Sequence, residues 1–364
     1  MGKILFISAF TPSMSTAGQN FSLQLLDELS KKHTIDLVFF KTGGDTFKAA
    51  SNRITVIEQV PLSPWLKLLH AILFPFFHPI FSGRFSYRVL FLILTLCKKV
   101  NYDVIYFDFS QVFLYSLFLR RKKKILMCHD IIFQKYSRGG NYFEKFWVYL
   151  SEKIIFASPS ATLLTFSEKD RALVRKVYHR NSEVINFFLS PMITRLGDEV
   201  ATAQNTFCFF GAWNRPENSD GLVWFVRNVL PRLPNETKFL VIGPNLPVEI
   251  ARLIASYKNV SYLGFVENPY ATIKTCAALI APIFRGAGVK VKVIESLACG
   301  TPVIGTPIAF EGIPRPVRMG IFVCRTPNEF AEQISGFTSA PDTKIKLRTW
   351  FLEHYKPASL EPFI

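Results

Sequence analysis

The 364-residue sequence predicts an α/β protein made of two doubly wound parallel sheets. Three observations carry this expectation. Short apolar runs of strand length alternate with helix-period stretches along the whole chain, as in successive strand–helix units. Several of those runs end in glycine or in a polar turn, which is how a strand hands over to a helix. A polar, charge-mixed stretch, Ser190 to Asn205, then separates two halves that are each long enough to bury a core, and it reads as a linker.

In the first half, Lys3 to Ser8 is an apolar strand, and the turn Thr11 to Thr16 leads through Ala17-Gly18 into a helix with Phe21, Leu25, Leu26 and Leu29 on its apolar face. Gly18 either lets the backbone approach a ligand or simply eases entry into the helix. Ile35 to Phe40 and Ile54 to Ile57 are further strands. Asp103 to Phe107 and Lys124 to Cys128 follow, the second running straight into His129-Asp130. A histidine at the carboxyl end of a parallel strand stands where such sheets bind ligands. Ala161 to Phe166 is the next strand, and Ser167 caps the helix Lys169 to Val177.

The second half opens with the strand Thr206 to Phe210, ending at Gly211. The loop Ala212 to Ser219 leads to an expected helix over Asp220 to Val229. Phe239 to Ile242 and Val260 to Phe265 are two more strands, the latter running into Val266-Glu267-Asn268. The most informative stretch is Ala278 to Thr306, which reads as strand, glycine loop, helix, strand. Gly286 and Gly288 allow backbone N–H groups to come close to a ligand, and the helix beyond presents its positive end. Lys290 and Lys292 add positive charge, and Glu295 on the same helix can accept hydrogen bonds from ribose hydroxyls. Together these residues describe a nucleoside diphosphate pocket. Ile321 to Cys324 is a last short strand, followed by helices over Pro327 to Ile334 and Thr343 to His354.

The run Gly-Ala-Gly-Val-Lys-Val-Lys-Val-Ile-Glu-Ser-Leu-Ala-Cys-Gly-Thr-Pro-Val-Ile resembles the nucleotide-sugar signature of family 4 retaining glycosyltransferases of the GT-B fold. Of the two glutamates spaced eight apart in that family, the second matches Glu295, while Ala287 stands at the first. The chain thus looks like a subgroup lacking the first glutamate. The resemblance implies two Rossmann-like domains facing a central cleft: 1–189 for the acceptor, 206–340 for the donor, and a final helix in 341–364 crossing back to the first domain. It also implies donor-binding roles for Gly18, for Gly211, Asn214 and Arg215 beside the diphosphate, and for Phe265, Val266 and Glu267 around the base. Arg285, Gly286, Ala287, Gly288, Val289 and Glu295 complete that set. His129 is expected to touch the donor sugar with Asp130 orienting it, and Lys290 and Lys292 to stabilise the leaving group.

No resident cofactor is expected, because the nucleotide sugar is a substrate and no His/Cys/Asp/Glu spacing suits a metal. The composition, 49% hydrophobic and 15% aromatic, excludes a disordered chain. Its charge is uneven: 25 Lys+Arg stand against 13 Asp+Glu through Ser190, a net +12 of the total +16. Pro61 to Val100 interleaves Trp65, Phe74, Phe76, Phe77, Phe81, Phe85 and Tyr87 with Lys67, Arg84, Arg88, Lys98 and Lys99, and a basic run spans Arg120 to Lys124. This composition suits either core-facing helices or helices lying on an anionic membrane.

The expected partners are therefore a nucleotide sugar, a glycan or lipid-linked acceptor and an anionic membrane surface, without nucleic acid. The expected location is the cytoplasm, on the inner face of the cell membrane. No spanning helix or secretory signal is expected, and the six unpaired-looking cysteines suggest buried thiols. A nucleotide-sugar 2-epimerase on the same fold is the competing enzyme, distinguished by turning over donor alone. A nucleic-acid-binding protein is the non-enzymatic competitor, and it lacks a recognition motif.

Overall fold

The computed structural model describes residues 2–41, 44–62, 64–119, 122–139, 141–197, 203–313, 320–356 and 359–364. The chain divides into two compact units, Met1–Phe188 with Ala358–Ile364, and Leu189–Pro357.

The first unit is a seven-stranded sheet of β1 (Lys3–Ser8), β2 (Thr34–Lys41), β3 (Ile54–Pro61), β4 (Val104–Asp108), β5 (Lys124–Cys128), β6 (Ala161–Thr165) and β7 (Glu183–Val184). Its spatial order is β3-β2-β1-β4-β5-β6-β7, every pair parallel. Helices cover both faces, so the central strands are apolar on both sides: Ile4, Leu5, Phe6, Ile7, Ile105, Phe107, Leu126 and Met127 are fully buried. The chain runs outward in one direction from β1 and in the other from β4. The order reverses between these neighbours, and such a crevice is where doubly wound sheets place their ligands.

The second unit repeats the plan with β8 (Thr206–Phe210), β9 (Lys238–Ile242), β10 (Val260–Gly264), β11 (Leu279–Ala281), β12 (Val303–Gly305) and β13 (Ile321–Val323). The order β10-β9-β8-β11-β12-β13 is again parallel and puts the reversal between β8 and β11. Phe207, Phe209, Phe225, Phe239, Val241 and Ile280 form the centre of its core. The expected fold class, two Rossmann-like α/β domains, is what the chain adopts.

Several boundaries differ from the sequence expectation. Strand β3 continues to Pro61. The helix expected from Asp220 starts at Pro216, because proline is suited to the first helical turn and Arg215 already has an extended N-cap backbone. Part of the expected linker folds into the second unit as the short helix Pro191–Thr194. The helix Pro341–His354 also belongs to that unit, and only Ala358–Ile364 group with the first. Two buried cations explain its place. Arg348 donates to the carbonyls of Ile193, Leu196 and Ala298, and Lys344 donates to those of Lys274 and Cys276.

The aromatic segment after β3 forms the helices Pro64–Leu73, Pro79–Ser82 and Tyr87–Lys99. The last two contribute Phe81, Val89, Leu90 and Ile93 to the core. The first buries none of its side chains, and Trp65 is 80% exposed. Among the described residues, no helix is long and apolar enough to cross a membrane. All six cysteines are free thiols, five of them buried.

Candidate functional site

The sequence-predicted residues fall into two groups, one at each sheet's switch point. In the second unit the loop after β11 carries Gly286 at φ +109 and Gly288 at φ +69, backbone that a side chain would strain. Lys290, at the N-cap of the helix Val291–Ala298, donates to the carbonyls of Ala287 (3.3 Å) and Gly288 (2.8 Å), which folds the loop back over the helix start. Lys292 reaches the helix Pro216–Asn228 and donates to Asn218 Oδ1 at 2.7 Å. A Cβ at Gly211 would lie 2.8 Å from Asn218 Nδ2 and 3.3 Å from Lys292 Nζ. The loop after β8, the start of the following helix and the lysine loop therefore meet at one point.

Burial, together with Arg215 and Lys290 close by, pushes Lys292 down to about 7. An amine held so near neutrality among other cations lies where an anion would be welcome, since a bound diphosphate would restore its charge. Glu295, one turn further along the helix, is buried and accepts a 2.7 Å hydrogen bond from Tyr270. Burial raises its carboxyl to about 7, with the tyrosine opposing the shift.

Other expected members stand further from this centre. Arg215 is exposed, with Nε 3.8 Å from Glu217. Asn214 is exposed, and Asn218 is the asparagine that meets the lysine. Arg285 is tied to Asp220. Ala287 and Val289 are half-buried in the loop, while Phe265 and Glu267 are exposed and Val266 is half-buried after the edge strand β10.

Two residues were missed. Glu217 sits beside Gly286, its Cγ 3.6 Å from where a Cβ would be, and puts an acid near the lysines. Gly243, at φ +122, lets the loop after β9 press against Gly211, whose carbonyl oxygen would lie 1.9 Å from any Cβ there. Its signal was present, a glycine directly ending a strand.

In the first unit, His129 follows β5 and is buried, with Nε2 2.8 Å from Asp108 Oδ1. Asp108 closes β4 and is fully buried. Its other oxygen accepts from Ser8 Oγ at 3.1 Å and Ser22 Oγ at 2.5 Å. Asp130, the expected orienting neighbour, is exposed beyond the histidine, while the ring nitrogen is bonded to Asp108. Adjacency in sequence suggested Asp130, whereas parallel pairing of β4 with β5 brings Asp108 alongside. Gly18 is close to the same ring: a Cβ there would lie 3.1 Å from His129 Nδ1 and 3.1 Å from the Phe109 ring.

Residues 204–339 match the family model described as Glycosyl transferases group 1, a segment that holds the whole lysine–glycine site. No curated protein matches the chain. Among solved structures the chain is similar to sucrose-phosphate synthase from Thermosynechococcus elongatus, at 14% identity and a TM-score of 0.73, covering 100% of this chain and 96% of that one. WaaG, a glycosyltransferase involved in lipopolysaccharide biosynthesis, is similar at 12% identity and a TM-score of 0.70, with 98% and 96% covered. Anabaena HepE in complex with UDP-glucose gives 14% identity, a TM-score of 0.65 and the same two coverages, 98% and 96%. At such identities the likeness establishes the fold, a pair of Rossmann-like domains as in GT-B glycosyltransferases.

Proposed function

We propose that the protein transfers a glycosyl group from a nucleoside diphosphate sugar to a hydroxyl of a glycan or lipid-linked acceptor, with retention of configuration, in the synthesis of a bacterial surface polysaccharide or lipopolysaccharide. The observation that carries this reading is the meeting of Gly211, Asn218 and Lys292 with the Gly286–Gly288 loop inside the segment matched by the glycosyltransferase model. Lys290, Lys292, Arg215 and the helix N-termini neutralise charge that develops on the departing diphosphate. Glu295 receives the ribose hydroxyls, and the leaving phosphate helps to take the acceptor's proton in a front-face transfer. No resident metal or cofactor is assigned to the reaction.

The basic first half and the exposed helix Pro64–Leu73 support a peripheral position on an anionic membrane at the cytoplasmic face. Arg120 and Arg121 of the expected basic run lie outside the described residues. The test of the donor site is a thermal-shift panel of nucleoside diphosphates and nucleotide sugars, repeated with Glu295→Ala. A donor that stabilises the wild type and not the variant is expected, whereas equal stabilisation of both removes the assignment.

One observation favours the competing 2-epimerase: the Asp108–His129 pair is an arrangement suited to moving protons. Incubation with donor alone separates the two, since an epimerase converts it and a transferase leaves it largely intact.

A further inference from the structure

The surroundings of His129 are more elaborate than a sugar contact requires. The imidazole lies flat against Phe109, with ring centroids 3.6 Å apart and planes 13° from parallel. Phe21 and Phe166 meet it edge-on at 5.6 and 5.2 Å. Phe109 has φ +70 and ψ 142, a conformation that strains a bulky residue. Such strain persists only where the surrounding structure imposes it. Here it follows directly after Asp108 and brings the phenyl ring onto the histidine, so one short turn supplies both the hydrogen-bond partner and the stacking plane.

A carboxylate can only accept hydrogen bonds, so the ring nitrogen facing it must carry a proton. With both Asp108 oxygens engaged, by His129 on one side and by Ser8 and Ser22 on the other, the carboxylate is itself fixed in orientation. We infer that Asp108 is a positioning residue that locks His129 as the Nε2–H tautomer, leaving Nδ1 as a hydrogen-bond acceptor for a sugar hydroxyl. This rests on the glycosyl-transfer reading and deepens it.

Nδ1 lies beside Gly18 in the first turn of the helix Ala17–Ser30. N–H groups in a first helical turn have no partner further back in the helix, so this end favours an oxygen as ligand. A hydroxyl suits the combination, because it accepts from N–H and donates to Nδ1. A phosphate oxygen, which brings no proton, would meet the nitrogen lone pair unfavourably. Gly18 is thereby given a role: a methyl group there would crowd the nitrogen that must stay accessible.

Nitrogen-15 spectroscopy of histidine-labelled full-length protein tests the inference directly, with His129→Gln assigning the signal. The wild type is expected to show His129 protonated at Nε2. In Asp108→Asn the amide can turn its N–H toward the ring, and the proton is expected to move to Nδ1. Transfer should then fall roughly 10- to 100-fold in kcat, by analogy with the loss when the hydrogen-bonded partner of a metal-bound histidine is removed, with little change in donor KM. A merely structural Asp108 would lower thermal stability and leave the tautomer where it was.

Wild-type protonation at Nδ1, or an unaltered tautomer in folded Asp108→Asn, overturns the inference. Should Asp108→Asn fail to fold, the wild-type spectrum still decides, together with Ser22→Ala, which keeps Asp108 and must keep the Nε2–H form. The spectrum requires no turnover, so a protein with the expected tautomer that transfers no sugar would contradict the proposed function and leave the role of Asp108 standing.

Discussion

At the switch point of the first sheet a carboxylate and an imidazole are enclosed by phenylalanine rings. At the same point of the second sheet a loop with two positive-φ glycines brings Lys290 and Lys292 together, and burial with the neighbouring cations pushes Lys292 down to about 7. One fold plan, used twice, thus provides an apolar box that fixes the direction of a single hydrogen bond, and a concentration of positive charge. The first arrangement suits recognition of a hydroxyl, where geometry and tautomer decide the outcome. The second suits a diphosphate, where charge dominates and backbone N–H groups supply the rest. The difference teaches that the same sheet plan can build two chemically unlike pockets, one set by hydrogen-bond direction and the other by charge.

The sharpest way to break the second site is through its backbone. Gly243→Val must relieve both a φ of +122 and a 1.9 Å clash with the Gly211 carbonyl. Adding the left-handed cost of ~1–2 kcal/mol to overpacking of ~1–3 kcal/mol, denaturant titration should show a loss of about 2–5 kcal/mol. No comparable loss is expected from Gly286→Ala, whose nearest neighbour is 3.6 Å away and whose penalty is conformational alone.

Next in size is the effect of removing individual ligands. Lys290→Ala and Glu295→Ala should each weaken nucleotide-sugar binding about 10- to 100-fold, the equivalent of one charge-assisted hydrogen bond, with circular dichroism unchanged. His129→Gln should leave nucleoside diphosphate affinity intact and reduce transfer. If both sets of variants altered diphosphate affinity equally, the division of labour would be lost.

The titrating groups predict a pH dependence confined to the second site. Lys292 lies near 7 when unliganded, and a bound diphosphate favours its charged form, so binding takes up a proton and weakens as pH rises above 7. Glu295, also near 7, binds ribose hydroxyls best as the carboxylate, so affinity should also fall below 7. Calorimetry across pH 5.5 to 9 is expected to show a maximum near neutrality, as values of about 7 for both groups require. Lys292→Met should remove the decline on the alkaline side and Glu295→Gln that on the acid side.

The smallest effect on chemistry is expected at the exposed helix. Trp65→Ser together with Ile72→Ser should reduce sedimentation with vesicles containing anionic lipid and leave transfer to a soluble acceptor unchanged. Unaltered vesicle binding would remove that helix from the membrane surface.

The second site was largely legible in the sequence because its parts are contiguous. Strand, glycines, lysines and Glu295 lie within one short stretch, and their spacing alone places them on one loop and one helix face. The first site was only half legible. His129 announced itself by following a strand, but its partner Asp108 lies 21 residues earlier and meets it through strand pairing, which no local pattern encodes. Phe109 likewise carried no signal, since its strain exists only in the folded turn. The helix starting at Pro216 was misplaced because a proline normally interrupts a helix and here opens one. The tertiary location of the final helix depends on Lys344 and Arg348 bonding to distant carbonyls, and long-range hydrogen bonds of that kind leave no periodicity.

Titration calorimetry of a panel of nucleoside diphosphates against the wild type, Lys292→Met and Asp108→Asn tests the central claim most directly. One diphosphate should bind the wild type and Asp108→Asn with equal affinity and Lys292→Met roughly 10- to 100-fold more weakly. Equal binding to all three proteins, or a loss confined to Asp108→Asn, would show that the lysine-bearing loop does not hold the leaving group.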